Sequence, residues 1–321
     1  MNEVNQRINR WMAPRMPYLI IVCLALGIAV PNVMGKLSPH ITALMVFMTF
    51  SNTLGGSFRD LGKTLRHPKA VLLCMVSLHV LMPLLALGVG SVLFPNDPLY
   101  TLGLVMIEAS PAAVSSLLWI TIGGGNMELC LSVVLLDALL SPVILPLTLR
   151  LLCGSVVTLD SVGMMQDLVV MIVIPAALAM LLCQLKGKET CNRLKGHLSS
   201  LSKLSMLLVV AGNITRCVDD LHHLNATLLL VMLATVGMRV LGLILGWTLA
   251  RLLRYSYKTS LTVTMNSSMR NMAAASTLAA EYFPSQAAFS PSISPLFSQL
   301  LASVAVRILQ KKRETLKGGK D

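Results

Sequence analysis

The chain has 321 residues, of which 55% are hydrophobic and only 12% charged, and its mean hydropathy is +0.74. Soluble domains carry about a quarter charged residues, so the composition excludes an ordinary soluble domain and indicates an integral membrane protein. A formal net charge of +12 would point towards nucleic acid or another acidic partner, and the placement of the basic residues decides whether it does here.

The apolar runs are continuous instead of alternating, which predicts helices and not barrel strands. A crossing needs roughly 18 to 20 apolar residues. Ten such spans are predicted, at 17–33, 41–58, 70–94, 99–122, 129–153, 165–184, 201–217, 226–251, 255–281 and 288–309. The first follows a basic start, as a secretory leader would, but its apolar part is long and many more follow, so it reads as a spanning helix. If both termini lie on one side, 21 of the 26 Lys and Arg residues fall there. Only Lys36, Arg150 and Arg216 fall opposite, and Arg239 and Arg270 stay within the membrane. The positive-inside rule then places both termini in the cytoplasm, with the chain in the cell membrane and the lipid bilayer as its surroundings. The basic excess is topology, and no nucleic acid partner is expected.

Seven cysteines, Cys23, Cys74, Cys130, Cys153, Cys183, Cys191 and Cys217, are odd in number and scattered, so buried free thiols are expected. Gly123, Gly124, Gly125 and Asn126 form a loop between spans four and five; no strand precedes it and no Lys-Ser/Thr follows, which argues against a phosphate cradle. Asn225-Ala-Thr matches a glycosylation acceptor, a pattern common by chance. No metal-protease, serine-hydrolase or paired-cysteine motif is present, so an enzyme is not expected.

Five spans precede the basic loop at 186–203 and five follow it, and an odd number gives two halves of the same fold opposite orientations. "LHVLMPLLALGVGSVL" (78–93) resembles "MRVLGLILGWTLARLL" (238–253), and "VMIEASPAAVSS" (105–116) resembles "VTMNSSMRNMAA" (263–274), at nearly equal offsets. The domain reading that follows is 1–185 for a first inverted repeat of helices 1–5 together with helix 6, which begins the second. A basic cytoplasmic loop comes next at 186–203, then helices 7–10 at 204–309 and a basic cytoplasmic tail at 310–321. Inverted repeats with an interrupted helix in corresponding places point to a secondary transporter. Pro111 removes a backbone donor and should break span four near Ser110. In span nine, Asn266, Ser267 and Ser268 can satisfy freed backbone groups instead.

The polar residues inside the spans are the candidates for function. A central arginine costs at least about 2.5 kcal/mol on insertion scales, so Arg270 should face the interior with a partner, either binding an anionic substrate or standing where another carrier holds a metal ion. Glu108 is its natural partner or a proton carrier. Asp137, deep in its span, could pair with Arg270 or carry a proton if burial favours the neutral acid. His79 and Arg239 occupy matching places in spans three and eight: His79 could be packed or functional, and Arg239 could bond carbonyls of a broken neighbour. Ser110, Ser115, Ser116, Thr264, Asn266, Ser267, Ser268 and Asn271 could line a wet crossing, although serines also pack helices closely.

"ITALMVFMTFSNTLGGSFRDLGKTLRHPKAVLL" (41–73), "SPAAVSSLLWITIGGGN" (110–126), "LLSPVILPLTL" (139–149) and "MNSSMRNMAAA" (265–275) resemble the bile acid:sodium symporter family, in order along the chain. The resemblance implies ten helices in two inverted five-helix repeats, a panel beside a core domain, crossing discontinuous helices four and nine, and sodium-coupled carriage of organic anions. The family's Pro-Gly-Gly-Thr-Ala-Ser-Asn pattern falls on Pro111 to Leu117, which keeps a sodium-binding serine at Ser116 and loses the asparagine. Its Glu-Val-Gly-Met-Gln-Asn pattern falls on Asn266 to Asn271. There the acidic ligand has become Asn266 and the glutamine ligand Arg270, while Asn271, which in the family faces the substrate cavity, is retained. The fifth-span hydroxyl ligands fall at Cys130 and Val134, and a family serine becomes Asp137.

Sodium wants several hard oxygens, preferably one charged, and a guanidinium repels it. No cofactor is expected, and a bound sodium is not expected either; Arg270 would stand in for the ion. The expected function is therefore alternating-access transport of a small organic anion without sodium coupling. Substrate binding is assigned to Arg270, Asn271, Ser115, Ser116, Asn266 and Ser268, and coupling or ion pairing to Glu108, Asp137, Arg270 and His79. The rival readings are a proton or cation exchanger and a non-transporting receptor with a carrier fold.

Overall fold

The computed structural model describes residues 3–58, 62, 68–222 and 225–318. Arg59, Lys63 and Arg66 of the predicted basic loop and Lys320 of the tail lie outside the described residues. The described residues are almost entirely helical. In chain order they form α1 (Glu3–Ala29), α2 (Pro31–Thr53), α3 (Pro68–Leu93), α4 (Pro98–Ala109), α5 (Ser116–Gly123) and α6 (Met127–Cys153). There follow α7 (Ser161–Lys186), α8 (Lys188–His222), α9 (Ala226–Leu252), α10 (Tyr257–Ser268), α11 (Met272–Tyr282) and α12 (Ser285–Gly318).

The structure corrects the expected ten spans in two inverted repeats of five. Among the described residues, 7 helices are long and apolar enough to cross a bilayer: α2, α3, α6, α7, α8, α9 and α12 within Ser285–Lys311. The shortfall has a physical cause. Predicted spans four and nine are each cut in two, into α4 with α5 and α10 with α11, and none of these four pieces has the length of a crossing. The first predicted span contains only a short apolar helix, Tyr18–Ala29. Nor is 186–203 a loop: Lys188 begins a helix that runs to Ile214, so the basic segment is the polar start of α8. Residues 310–318 likewise continue α12.

Local sequence explains most of the ends. Asn126 and Asn225 cap α6 and α9 by accepting hydrogen bonds from Leu129 N at 3.0 Å and Leu228 N at 2.9 Å. Gly124 closes α5 with φ of 72°, the left-handed conformation that glycine adopts without strain. The glycine triplet and the Asn-Ala-Thr motif thus have work as helix stops and caps. α3 and α7 each contain a π-helical turn, Ser77–Leu81 and Val169–Val173, immediately ahead of Pro83 and Pro175. In the first, Met82 N reaches Ser77 O. The next bond of that pattern would need an N–H on Pro83, which has none, so the Leu78 carbonyl is left open.

All seven cysteines are free. Val92, Leu151 and Leu252 are 78%, 73% and 72% exposed, which fits helices whose outer faces meet lipid instead of water. α9 packs closely along α10. A Cβ at Gly246 would stand 2.8 Å from Thr264 Cα, and one at Gly242 would stand 3.0 Å from Ser267 O. Gly246→Leu is therefore expected to lower the thermal midpoint of the detergent-solubilised protein, by an overpacking cost of about 1–3 kcal/mol. Gly237→Leu, on the same helix in open space, should leave the midpoint nearly unchanged.

Candidate substrate site at the meeting of two broken helices

The two interruptions meet. Between α4 and α5 the chain is extended around Pro111–Ala113, and between α10 and α11 it is extended around Met269–Asn271. Ala113 N donates to Met269 O at 3.1 Å and Asn271 N donates to Pro111 O at 2.7 Å, forming a two-bond antiparallel bridge. Backbone groups freed inside a membrane must find partners, and these segments supply them to each other. The second break falls just beyond Asn266–Ser268, which remain in α10.

Four charged side chains are buried among the described residues, Glu108, Asp137, Arg239 and Arg270, and all lie around this bridge. Glu108 joins the two guanidinium groups: Oε1 pairs with Arg239 Nη2, and Oε2 lies 3.5 Å from Arg270 Nε. Arg239 also donates to Ser268 O at 2.5 Å, and Ser268 Oγ donates back to Arg239 O at 2.8 Å. Arg270 Nη2 donates to Leu78 O at 3.3 Å, the carbonyl left open by Pro83, while its Nη1 is buried with no hydrogen-bond partner. Asp137 makes its direct contacts elsewhere, although its charge also acts on Arg270. Its Oδ1 is 2.6 Å from His79 Nε2, and its Oδ2 accepts Ala112 N–H at 2.5 Å. With a neutral histidine the group sums to zero, which lets a fourfold burial of charge persist in a low-dielectric interior.

A cavity of about 110 Å³ opens beside the bridge, lined in part by Asn52, Ser115, Gln299, Arg270 and Asn271. Two helix amino ends face it, those of α5 after Ser115 and α11 after Asn271. Ser116, Leu117 and Leu118 N donate to Ala113, Val114 and Ser115 O, and Met272 N donates to Arg270 O, so these ends contribute chiefly the partial positive charge of a helix start. Of the six candidate substrate residues, Arg270, Asn271 and Ser115 line this cavity, and Ser116, Asn266 and Ser268 do not. Asn271 Oδ1 caps α11 by accepting Ala274 N–H at 3.2 Å, and Ser115 Oγ accepts from Gln299 Nε2 at 3.3 Å. Ser116 Oγ donates to Asn266 Oδ1 at 3.4 Å and lies 3.3 Å from Cys130 Sγ, in a separate buried group.

The polar lining from Asn52 and Gln299 is not marked in the sequence, because a lone amide within or beside a span carries no distinguishing pattern. Arg239 carries the same signal as Arg270, a charge amid an apolar run, and the structure adds it to the site through Glu108.

These features define a multi-pass membrane protein whose interior holds a neutral ionic cluster next to a small polar cavity, where two helices break. The chain belongs to the Sodium Bile acid symporter family, whose profile matches residues 42–224. It is 32% identical over 289 residues to the protein YbaS of Bacillus subtilis (strain 168), covering 90% of this chain and 94% of that one. It is 20% identical to the sodium-dependent transporter YocS of the same organism, over 99% of this chain and 97% of YocS. A probable chloroplastic sodium/metabolite cotransporter of Oryza sativa subsp. japonica is 22% identical over 100% of this chain and 76% of its own length. The protein is a membrane transport protein related to sodium/metabolite cotransporters.

Proposed function

We propose that the protein is a secondary transporter that carries a small organic anion by alternating access and is not coupled to sodium. The observation that carries this reading is the pair of helix amino ends opening on one cavity at the bridge, with the fully buried guanidinium of Arg270 behind its wall. The partial positive charge of two helix starts and a guanidinium together favour a carboxylate or a similar group. A second cavity of about 300 Å³, lined by Gly55, Asn192 and Lys195, shares Asn52, Thr53, Val114, Val134 and Leu135 with the first. It offers a route to the face that the basic residues assign to the cytoplasm.

The residues at the positions where the family resemblance puts sodium ligands do not fit that ion. Asn266 Oδ1, Ser116 Oγ and Cys130 Sγ cluster there, an amide, a hydroxyl and a thiol with no negative charge, whereas hard cations select several oxygen ligands. Arg270 adds a fixed positive charge in the same interior. Like charges repel strongly at low dielectric.

Reconstituted vesicles test this reading. Labelled lactate, glycerate and malonate should exchange across the membrane in counterflow, with equal rates in sodium, potassium and choline media. Uptake or thermal stabilisation that saturates with sodium alone, at constant ionic strength, would overturn the uncoupled reading. Binding without counterflow would mark a receptor instead.

A further inference from the structure

Asp137 supplies the second negative charge that balances the two arginines, but its direct contacts are with His79 and the Ala112 amide, and the substrate reading leaves His79 without a task. It sits where a charge change would matter most. Asp137 Oδ2 holds the amide of Ala112, the residue paired with Arg270 in the bridge, and Oδ1 faces His79 Nε2. Neither ring nitrogen of His79 makes a well-aligned hydrogen bond, and its close polar contact is the one from Nε2 to Asp137 Oδ1 at 2.6 Å. A histidine whose Nε2–H faces a carboxylate keeps Nδ1 as its basic nitrogen.

The geometry points to a proton-binding site at His79–Asp137 that couples anion movement to protons. The inference rests on the anion-carrier reading above. A proton adds to the Nδ1 lone pair of His79, while Nε2–H stays on Asp137, giving an imidazolium–carboxylate pair. No bond between heavy atoms changes, and the donor is water at the open face of the carrier. The interior then passes from neutral to a charge of +1. One bound monoanion restores neutrality, so a proton and a monoanion cross together and no net charge moves.

On the elements packed around the pair, the buried ionisable groups of this region are Glu108, Arg239 and Arg270, already tied to one another, and the thiols Cys74 and Cys130; Lys69, Tyr100, Arg150, Cys153, Arg251 and Tyr257 lie two or more helical turns away along the same helices. Glu128 and Lys258 stand in the first turns of their helices, well removed along the helix from Asp137 and from the bridge. None of these groups contacts His79 as Asp137 does, so the pair is the place where a proton changes the balance.

The experiment has two arms that fail independently. In the first, infrared difference spectra of the reconstituted full chain between pH 8 and pH 5, with no substrate present, should carry an imidazolium band that is missing in His79→Gln. The same band in both proteins, or in neither, overturns the proton site. In the second, an alkaline interior should accelerate labelled lactate uptake at least fivefold in the wild type, with no response to a potassium–valinomycin potential. His79→Gln and the size-conserving Asp137→Asn should each lose that acceleration. Counterflow of lactate in the wild type that ignores the pH gradient overturns the coupling and leaves the carrier reading standing. Absence of counterflow with lactate, glycerate and malonate counts against the carrier reading, and the infrared arm still decides the proton site.

Discussion

Glu108→Ala is expected to be the most damaging single substitution, removing most folded protein from the membrane. Among the described residues Glu108 is the one carboxylate that contacts both Arg239 and Arg270, and without it two guanidinium groups face each other in a dry interior. Breaking a buried ion pair by deleting one partner typically costs about 3–5 kcal/mol, a large share of the stability of a marginally stable fold. Size-exclusion profiles and thermal midpoints in detergent provide the measurement. Charge balance makes a sharper forecast for the double variant. Glu108→Ala with Arg239→Met removes one charge of each sign and leaves Arg270 with Asp137, so it should recover much of the lost midpoint. If the double variant is no more stable than Glu108→Ala alone, the shared carboxylate is not what holds this region together.

Arg270→Ala should instead spare folding more than transport. Glu108 keeps Arg239 as its partner, and the vacated space adjoins a cavity that water can enter. What disappears is the cation beside the two helix amino ends and the bond to Leu78 O. Counterflow is expected to fall about a hundredfold, equivalent to about 2.8 kcal/mol at 1.4 kcal/mol per tenfold change. Arg270→Gln combined with Asn266→Glu tests the complementary idea, since it returns an acidic and an amide oxygen to the interior. That pair should gain a thermal response specific to sodium. Normal transport by Arg270→Ala with unchanged ion dependence would make the guanidinium incidental.

The environment of the chain is legible without any coordinates. A long apolar run declares a lipid-facing helix through composition alone, and a charge within it declares an inward face, because the bilayer penalises the alternative wherever the residue sits. Pro111 announces its break for an equally local reason, the missing N–H. The Asn126 and Asn225 caps are local as well, since an asparagine just ahead of an apolar run can accept from the first free N–H groups of the helix it starts. The number of crossings is not legible in this way, because hydropathy averages over a window. It sums 99–122 or 255–281 into one span and does not register that a few residues inside each are extended. The start of α8 fails from the opposite side, as a basic segment too polar to look like part of a spanning helix.

Which partner each buried charge takes is beyond the sequence. Arg270 could pair with Glu108 or Asp137 on composition alone, and Asp137 could face either arginine. Tertiary packing puts Glu108 between two arginines and turns Asp137 towards His79 and the Ala112 amide. A π turn ahead of Pro83 then presents Leu78 O to Arg270. Residue type sets the cost of burying a charge, and so foretells that a partner exists. Only the three-dimensional path of distant helices decides which partner comes within reach.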